Sequence, residues 1–325
     1  MAKEHFERVL ASNPPPAVKA NIAGFLSTIH NRRRFRGSLS FQMVRESNIN
    51  SGTTDKTIWF NSIPLTRSDA DPKAEAGIVI IGRGVYRHPV SDTVDNVTSI
   101  GLSRTEFPGS DFDRTVLDFY TGPEYHLSEQ TRVSLQGYIT SNFNENSPNH
   151  KLGGRVRLQR MMNIRTNLDV QLSFGKRSYQ LSENAHNNAN EFEIGFSINH
   201  RLTPTLTLDG GISAASSHIK NNPNQENRTF QLNTGVSSLL KSGLTVGFRA
   251  STSRKSYQGQ PGFPTIDGLA QKDKLLSLQA TILHRNLTVW GFSPQLALIH
   301  EKLSTNAQAS DFKNNPVQVT MVKQF

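Results

Sequence analysis

Alternation of apolar and polar residues continues to the very last position of the chain. The final nine residues, VQVTMVKQF, place Val317, Val319, Met321 and Phe325 on one face of a strand. In an ordinary sheet such a terminal strand would be an edge with unpaired backbone groups. A closed barrel removes the edge by pairing the last strand with the first, and the outer-membrane type turns its apolar face to lipid. The terminus therefore favours a closed membrane barrel.

The same period-two pattern recurs along most of the chain. In EFEIGFSIN, four large apolar residues alternate with Glu191, Glu193 and small or polar residues. A β-sandwich also alternates in this way, so the pattern alone leaves both architectures open. The connectors distinguish the two architectures, because short turns alternate along the chain with long, polar, Asn-rich segments. A membrane barrel has this arrangement, with tight turns on one rim and long loops on the other.

Counting the alternating segments predicts an all-β fold, an antiparallel transmembrane β-barrel of about 14 strands. The predicted strands are 36–45, 75–87, 94–105, 113–124, 131–142, 151–162, 165–178, 190–201, 204–217, 228–240, 243–254, 273–285, 287–300 and 315–325. An even number places both ends of the barrel on one side of the membrane. Residues 46–74 are either a further strand or a segment folded into the lumen.

The first 35 residues have a different pattern. After Pro14-Pro15-Pro16, apolar residues recur at helical spacing from Val18 to Ile29, and the basic run Asn31-Arg32-Arg33-Arg34 follows. One short amphipathic helix is predicted, with an apolar stripe that must pack on a neighbour or on the barrel rim. The domain boundaries expected from the sequence are thus 1–35 for a helical segment and 36–325 for the barrel.

Composition excludes several other classes of protein. No run approaches the roughly 18 apolar residues of a membrane-spanning helix, whereas each strand of a barrel needs only about 10 alternating residues. The chain has no cysteine, so disulfides and thiolate metal sites are impossible. The net charge of +10 comes from Lys and Arg scattered singly among the strands, which argues against nucleic-acid binding.

No constellation of residues indicates catalysis. The histidines fall at predicted strand ends or in loops, and no paired metal-ligand pattern occurs, so no catalytic, cofactor or metal site is expected. Six charged residues are predicted to face the lumen, where they either neutralise one another across strands or line a conduit for a polymer. These are Arg155, Arg157, Asp169, Glu191, Glu193 and Arg249. Trp290 and Phe292, beside a tight turn predicted at Arg285-Asn286, are expected to belong to an aromatic girdle.

Four short motifs resemble a known family. They are NPPPAVKANI at 13–22, GSLSF followed by ESNIN at 37–50, WGFSPQL at 290–296 and KQF at 323–325. In this order and spacing they resemble the C-terminal barrel of the surface lipoprotein assembly modulators, called Slam. The resemblance implies a barrel of about 14 strands preceded by a periplasmic tetratricopeptide-repeat domain, so that residues 1–35 would be a remnant of that domain. Since the first residues lack the apolar core of a signal peptide, an upstream part is expected.

The resemblance also implies a function: export of surface lipoproteins or related secreted proteins across the bacterial outer membrane. A client would pass through the lumen or along a seam between the strand of Ser38, Ser40 and Gln42 and the last strand. Pro316 cannot donate a ladder hydrogen bond and is expected to weaken that seam. Val319, Met321 and Phe325 form the other wall, and the terminal aromatic is expected to signal to the barrel assembly machinery.

Several consequences accompany this hypothesis. The expected partners are a lipoprotein or secreted-protein client, outer-membrane lipid and lipopolysaccharide, and the barrel assembly machinery. The long loops are expected to be extracellular and both termini periplasmic. The alternative hypothesis is an outer-membrane diffusion channel, or porin, for small solutes, because long loops and lumen charges suit it equally well.

Overall fold

The computed structural model describes residues 34–53, 57–60, 63–66, 71–109, 111–240, 243–284 and 286–325, together with five isolated residues before them. The amphipathic helix predicted within 1–35 lies outside the described residues, apart from Val18, Asn21 and Ile22. Among the described residues, no helix is long and apolar enough to cross a membrane.

Fourteen long strands form one antiparallel sheet that closes on itself. They are β1 (Phe35–Glu46), β4 (Glu75–Ser91), β5 (Val94–Glu106), β6 (Arg114–Ser128), β7 (Thr131–Phe143), β8 (Asn149–Asn163), β9 (Thr166–Tyr179), β10 (Ala189–Arg201), β11 (Leu206–His218), β12 (Asn227–Leu239), β13 (Leu244–Tyr257), β14 (Lys272–His284), β15 (Ser293–Thr305) and β17 (Val317–Gln324). Chain neighbours pair with each other, and β1 pairs with both β4 and β17. The predicted antiparallel barrel of about 14 strands is confirmed.

Shorter elements lie in the connectors. They are the strands β2 (Thr57–Phe60), β3 (Ile63–Thr66) and β16 (Phe312–Asn314), and the 3-10 helices η1 (Ser182–Asn187), η2 (Pro223–Gln225) and η3 (Gln308–Ser310). β2 and β3 form a separate two-stranded hairpin. The described residues between Glu46 and Glu75 therefore add no strand to the barrel. Its first part packs tightly, since Asn48 and Thr53 are each only 2% exposed.

The two faces of the barrel wall follow the alternation in the sequence. Large apolar side chains point outward and are exposed, for example Phe192 at 46% and Phe230 at 54%. The intervening residues, such as Glu191 and Gln231, point inward. An apolar outer band over a polar inner wall is the arrangement of a transmembrane barrel, because lipid contacts one face and the lumen contacts the other.

The two rims differ in the length of their connectors. Two residues join β4 to β5, and equally short turns join β6 to β7 and β8 to β9. We call this end the turn rim. The opposite end has the longest connectors, including 180–188, 219–226 and 258–271, and we call that end the loop rim. β1 begins and β17 ends at the turn rim, so Phe35 and Phe325 lie at the same end of the barrel.

One predicted turn is wrong. The sequence suggested a tight turn at residues 285 and 286, but residues 285–292 separate β14 from β15. The tight turn lies five residues later, at 290 and 291, where the flanking Val289 and Phe292 exchange two backbone hydrogen bonds of 2.9 Å. Trp290 and Gly291 between them both have positive φ, 52° and 80°, as a type I′ turn requires. Asn-Gly normally signals such a turn, and Trp-Gly does not, because a bulky residue at positive φ is strained.

Candidate functional site

The seam between the first and last barrel strands is the predicted site that the fold assembles most directly. β1 and β17 pair in register from Ser38 opposite Gln324 to Arg45 opposite Val317. Beyond the ladder, the Gly37 N–H donates to the Phe325 carbonyl at 2.8 Å and the Phe325 N–H donates back at 3.0 Å. The predicted seam residues divide between the two faces. Ser38, Ser40 and Gln42 point inward, whereas Val319, Met321 and Phe325 point outward.

An aromatic clasp closes the seam at the turn rim. The rings of Phe35 and Phe325 stack with centroids 6.2 Å apart and an interplanar angle of 21°. The Phe325 ring lies directly over Gly37, where a Cβ atom would be 2.3 Å from a ring carbon. Gly84, the residue opposite Gly37 on β4, leaves similar room beside the Phe35 ring. The two glycines thus create the space in which the two rings meet.

A side-chain network closes the seam at the loop rim. Asn314 Oδ1 accepts hydrogen bonds from the Ser47 and Asn48 N–H groups at 3.1 and 3.0 Å and from Ser47 Oγ at 3.1 Å. The Asn314 amide donates to Glu46 Oε2 at 2.5 Å, and the Asn315 N–H donates to Ser47 Oγ at 2.7 Å. We call this network the amide lock. Beyond the end of the β1–β17 backbone ladder, these side-chain hydrogen bonds hold the two chain segments together in the same register.

Pro316 does not weaken the seam in the predicted way. In an antiparallel ladder, successive residues direct their backbone groups to opposite neighbours. Phe325 and the odd-numbered residues of β17 direct their backbone N–H and C=O groups toward β1. The even-numbered positions, including Pro316, direct theirs toward β15, where the Ile299 N–H donates to the Pro316 carbonyl at 2.9 Å. The missing proline donor is therefore lost from the β15 side. β16 and β17 keep one continuous register along β15 on either side of this gap.

Most of the predicted lumen charges point inward and are paired. Arg157 binds Asp169 with Nη2 and Oδ2 2.6 Å apart. Glu191 lies between two cations, with Lys151 Nζ at 2.8 Å and Arg177 Nη1 at 2.9 Å. Arg157–Asp169 and Arg177–Glu191 connect adjacent strands, whereas Lys151 on β8 reaches Glu191 on β10 across β9. Each group is only partly exposed.

The remaining three predicted charges have different surroundings. Arg249 pairs with Asp209 at 3.0 Å. Arg155 stacks on the Tyr120 ring at 4.1 Å and donates to Gln136 Oε1 at 2.5 Å. Among the described residues, Glu193 has no cation within ion-pair distance. Ion pairs therefore neutralise four of the six predicted residues: Arg157, Asp169 and Glu191 have a partner on an adjacent strand, and Arg249 on β13 pairs with Asp209 on β11, across β12.

A second charged cluster lies near the turn rim and was not predicted from the sequence. Glu124 is 3% exposed and pairs with Arg87, with Arg132 Nη1 at 3.8 Å, and with Ser134 Oγ, which donates at 3.1 Å. Asp95 and His126 adjoin it, 3.0 Å from each other. No spacing rule would have found this set, because its members are on β4 to β7 and meet only through the register.

This second cluster offers three possible metal-ligand groups, since Asp95, Glu124 and His126 place ligand atoms within 4.8 Å of one another. The two guanidinium groups of Arg87 and Arg132 already face the Glu124 carboxylate. A divalent cation would be repelled by both of them. The arrangement is that of an ion-pair network that balances two acids with two bases.

The predicted girdle residues lie outside the seam, near its turn-rim end. Trp290 is 89% exposed, and Phe292 packs on Phe41 of β1 with ring centroids 5.7 Å apart. Lys323 Nζ lies 5.4 Å from the Phe292 centroid and donates to the Trp290 carbonyl at 3.3 Å. The lysine is on the outward face of β17, and these contacts hold its charge at the turn rim.

A small network also orders the loop between β13 and β14 at the loop rim. The Asp267 carboxylate accepts from the Leu269 N–H at 3.1 Å and from the Asn306 side chain at 3.2 Å. The backbone hydrogen bond from Leu269, followed by the side-chain donors, lowers the pKa of Asp267 below its ordinary value. The loop is therefore held by an ionised carboxylate.

Known proteins show the same fold and sequence pattern. The family model described as surface lipoprotein assembly modifier matches residues 35–325. Surface lipoprotein assembly modifier 1 of Haemophilus influenzae is 20% identical over 341 aligned positions, which span all of this chain and 67% of the relative. The outer membrane channel DcaP of Acinetobacter baumannii has a similar fold, with a TM-score of 0.52 at 8% identity, covering 90% of this chain and 96% of that one. The family match covers the whole barrel, and the chain belongs to the surface lipoprotein assembly modifier family.

Proposed function

We propose that this chain is the barrel of an outer-membrane translocator that assists export of surface lipoproteins or related secreted proteins. Membership of the surface lipoprotein assembly modifier family supports the class of client. In this proposal the loop rim faces the cell exterior and the turn rim faces the periplasm, so that residues 1–35 connect to a periplasmic repeat domain. The barrel assembly machinery would recognise the strand that ends at Phe325. The proposed activity requires conformational change and no catalysis.

The observation that carries the proposal is the construction of the seam. The β1–β17 ladder comprises eight residue pairs, whereas the ladders from β1–β4 through β14–β15 comprise 11 to 14. Side chains complete the seam at both ends, through the aromatic clasp and the amide lock. β1 and β17 are also the first and last strands, so no connector ties them together. Opening this junction therefore disturbs the rest of the barrel least.

The junction of β17 with β15 is less suited to lateral opening than the junction with β1. β17 pairs with β15 over six residues, from Ser293 opposite Val322 to Leu298 opposite Val317. The proline gap at Pro316 lies on this side. However, residues 306–316 connect β15 to β17 and β16 extends the pairing, so this junction stays tethered. We therefore assign lateral opening to β1–β17.

A disulfide across the seam tests the proposal. Ser40 and Val322 lie opposite each other, point inward and exchange no ladder bonds, which brings their Cα atoms within disulfide range. Since the chain has no cysteine, S40C/V322C forms no competing bond. Gln231 and Ser253 have the same relationship on β12 and β13, so Q231C/S253C is the matched control.

Surface display of a co-expressed client lipoprotein is the readout, with full-length protein and with and without reductant. We expect oxidised S40C/V322C to lose display and to regain it on reduction, while Q231C/S253C displays the client in both states. Undiminished display through a locked seam would reject lateral opening and leave passage through the lumen.

The rival function is diffusion of small solutes, and the polar inner wall is the observation that favours it. Inward residues such as Ser213, Gln231 and Ser251 are neutral and hydrophilic, as a solute path requires. Swelling of liposomes that contain the purified protein distinguishes the two functions. Steady entry of small sugars identifies a porin, and a sealed translocator excludes them.

A further inference from the structure

We propose that the outward face of β12 to β16 at the loop rim is a binding site for a phosphorylated, multiply acylated lipid of the lipid A type. The site is centred on a basic patch of Arg228, Arg254, Lys272, Lys274, Lys302 and Lys313. It depends on the outer-membrane placement with the loop rim outward, and it is independent of client export. The charge pattern and the surface shape both support it.

The six basic residues share one face because of the strand register. Arg254 lies directly opposite Lys274 on the neighbouring strand, and Lys302 lies directly opposite Lys313. Arg228 and Lys272 each lie opposite Ser256 of β13, on its two sides. All six side chains are exposed and belong to the outward rows that also contain Phe230 and Leu276. Like charges directly opposite on adjacent strands repel each other.

No acidic side chain in the described parts of the chain forms an ion pair with these six residues. These five strands contain two carboxylates, Asp273 and Glu301, and both occupy inward positions of the alternation. Elsewhere on the outer face, a basic side chain does form an ion pair: Arg104 binds Asp113 at 2.9 Å. The described residues thus supply no acidic partner for the patch, and an anionic ligand would supply one.

The surface beside the patch has the form that acyl chains need. A groove of about 540 Å³ runs along the outer wall between Phe192 and Phe230, over the small residues Ala214 and Ser216. Arg228 and Arg254 border this groove. A second depression of about 360 Å³ lies on the other side of Phe230 and is lined mainly by polar residues: Thr252, Ser253, Arg254, Lys272, Asp273 and Lys274. Phe230 thus separates the apolar groove from this basic depression, and Arg254 borders both.

The height of the patch identifies the part of the lipid that it contacts. Arg228 is the second residue of β12, Lys272 and Lys274 are the first and third of β14, and Arg254 is the fourth from the end of β13. At about 3.3 Å per residue, these groups lie within roughly 10 to 13 Å of the loop rim, at headgroup level. Arg and Lys bind phosphate by charge-assisted hydrogen bonds. Several cations beside an apolar groove match a lipid that has phosphate groups and several acyl chains.

The test uses the full 325-residue chain in nanodiscs with defined lipids, and measures binding by native mass spectrometry and by the thermal unfolding midpoint. The ligands are lipid A, lipid A from which the phosphates have been removed, and phosphatidylglycerol. The variant R254Q/K274Q removes the two facing charges. Lys176→Gln, an exposed outward cation at the loop rim of β9, and Arg160→Gln, one at the turn rim of β8, are the controls.

We expect R254Q/K274Q to bind lipid A at least about tenfold more weakly, because a hydrogen bond to a charged group is worth more than one tenfold step in binding. Both controls should bind lipid A as the wild type does. Without lipid A, the variant should unfold at the same temperature as the wild type or higher, since it has lost a repulsion, and lipid A should raise only the wild-type midpoint. Equal binding by wild type and variant, or equal binding of dephosphorylated lipid A, overturns the site. Phosphatidylglycerol binding as tightly as lipid A overturns the assignment to lipid A.

Discussion

The ring of Phe325 fills the space that a side chain at Gly37 would occupy. The two residues also exchange both of their backbone hydrogen bonds, at 2.8 and 3.0 Å. The last residue of the chain is thereby fixed to the first barrel strand by main chain and side chain together. The Phe325 ring can take this position only because residue 37 has no side chain.

Gly37→Ala should therefore loosen the clasp. The new methyl group would displace the Phe325 ring from its stack on Phe35, and such an aromatic pair contributes about 0.5–1.5 kcal/mol. We expect the midpoint of heat unfolding in detergent to fall accordingly. Gly82→Ala is the control, because this outward glycine of β4 has open space where its Cβ would be. An equal effect of the two substitutions would contradict the role assigned to Gly37.

Asn314→Ala should open the loop-rim end of the seam. The substitution leaves the buried N–H of Asn48 and the N–H of Ser47 without their acceptor, at a cost of about 1–3 kcal/mol for each unsatisfied group. Hydrogen exchange at residues 46–49 should accelerate, while exchange at the clasp stays slow. Asn199→Ala is the comparison, since that inward asparagine has no hydrogen-bond partner among the described side chains. Unchanged exchange at Asn48 would show that the amide lock contributes nothing.

Glu191→Gln and Glu193→Gln should differ although the two residues share a strand and a face. Glu191 balances Lys151 and Arg177, so its neutralisation leaves two facing cations and should cost about 1–2 kcal/mol for these partly exposed groups. Glu193 has no such partners, and its variant should unfold like the wild type. Heat unfolding in detergent measures both. Equal unfolding midpoints for the two variants would mean that solvent screens the ion pairs of Glu191 and that they do not stabilise the barrel.

The β13–β14 loop should respond to acid and not to neutral pH. The folded-state pKa of Asp267 is lowered by the Leu269 and Asn306 donors. Its contribution is therefore complete above the unfolded pKa of about 3.9 and is lost as pH falls through the folded value. Hydrogen exchange at Leu269, corrected for intrinsic rates, should be constant from pH 8 to 5 and should become faster in acid, as pH falls through the lowered folded-state pKa of Asp267. Asp267→Asn should have fast exchange without this acid step, and an acid step that persists in the variant would assign it to another group.

Much of the architecture was predictable from the sequence because it depends on local rules. Alternation along Glu191 to Asn199 identifies a strand with one apolar face wherever it lies, and thirteen of the fourteen strands begin within two residues of their predicted positions. The exception is β15, which begins at Ser293 instead of 287. There the Trp290-Gly291 turn has the geometry of Asn-Gly without its sequence, so a rule based on turn residues could not detect it.

The candidate site could be predicted only in part. The pairing of Val319 and Met321 with the first strand follows from closure of the barrel. Whether the backbone groups of Pro316 point toward β1 or β15 depends on which residues of β17 form hydrogen bonds with β1. That parity is fixed by the Gly37–Phe325 pair at the far end of the strand. The amide lock joins Ser47 to Asn314, 267 positions apart, and no local signal connects them.

The sequence by itself determined the strand count, the two faces of the wall and the family, because period-two patterning and short motifs are properties of contiguous residues. The tertiary structure decided which groups meet: Glu191 with Lys151 and Arg177, Phe325 with Gly37, and Arg254 with Lys274. The physical reason is register. A shift of one residue between two strands exchanges every inward and outward neighbour, and closure of fourteen strands into one ring selects a single register.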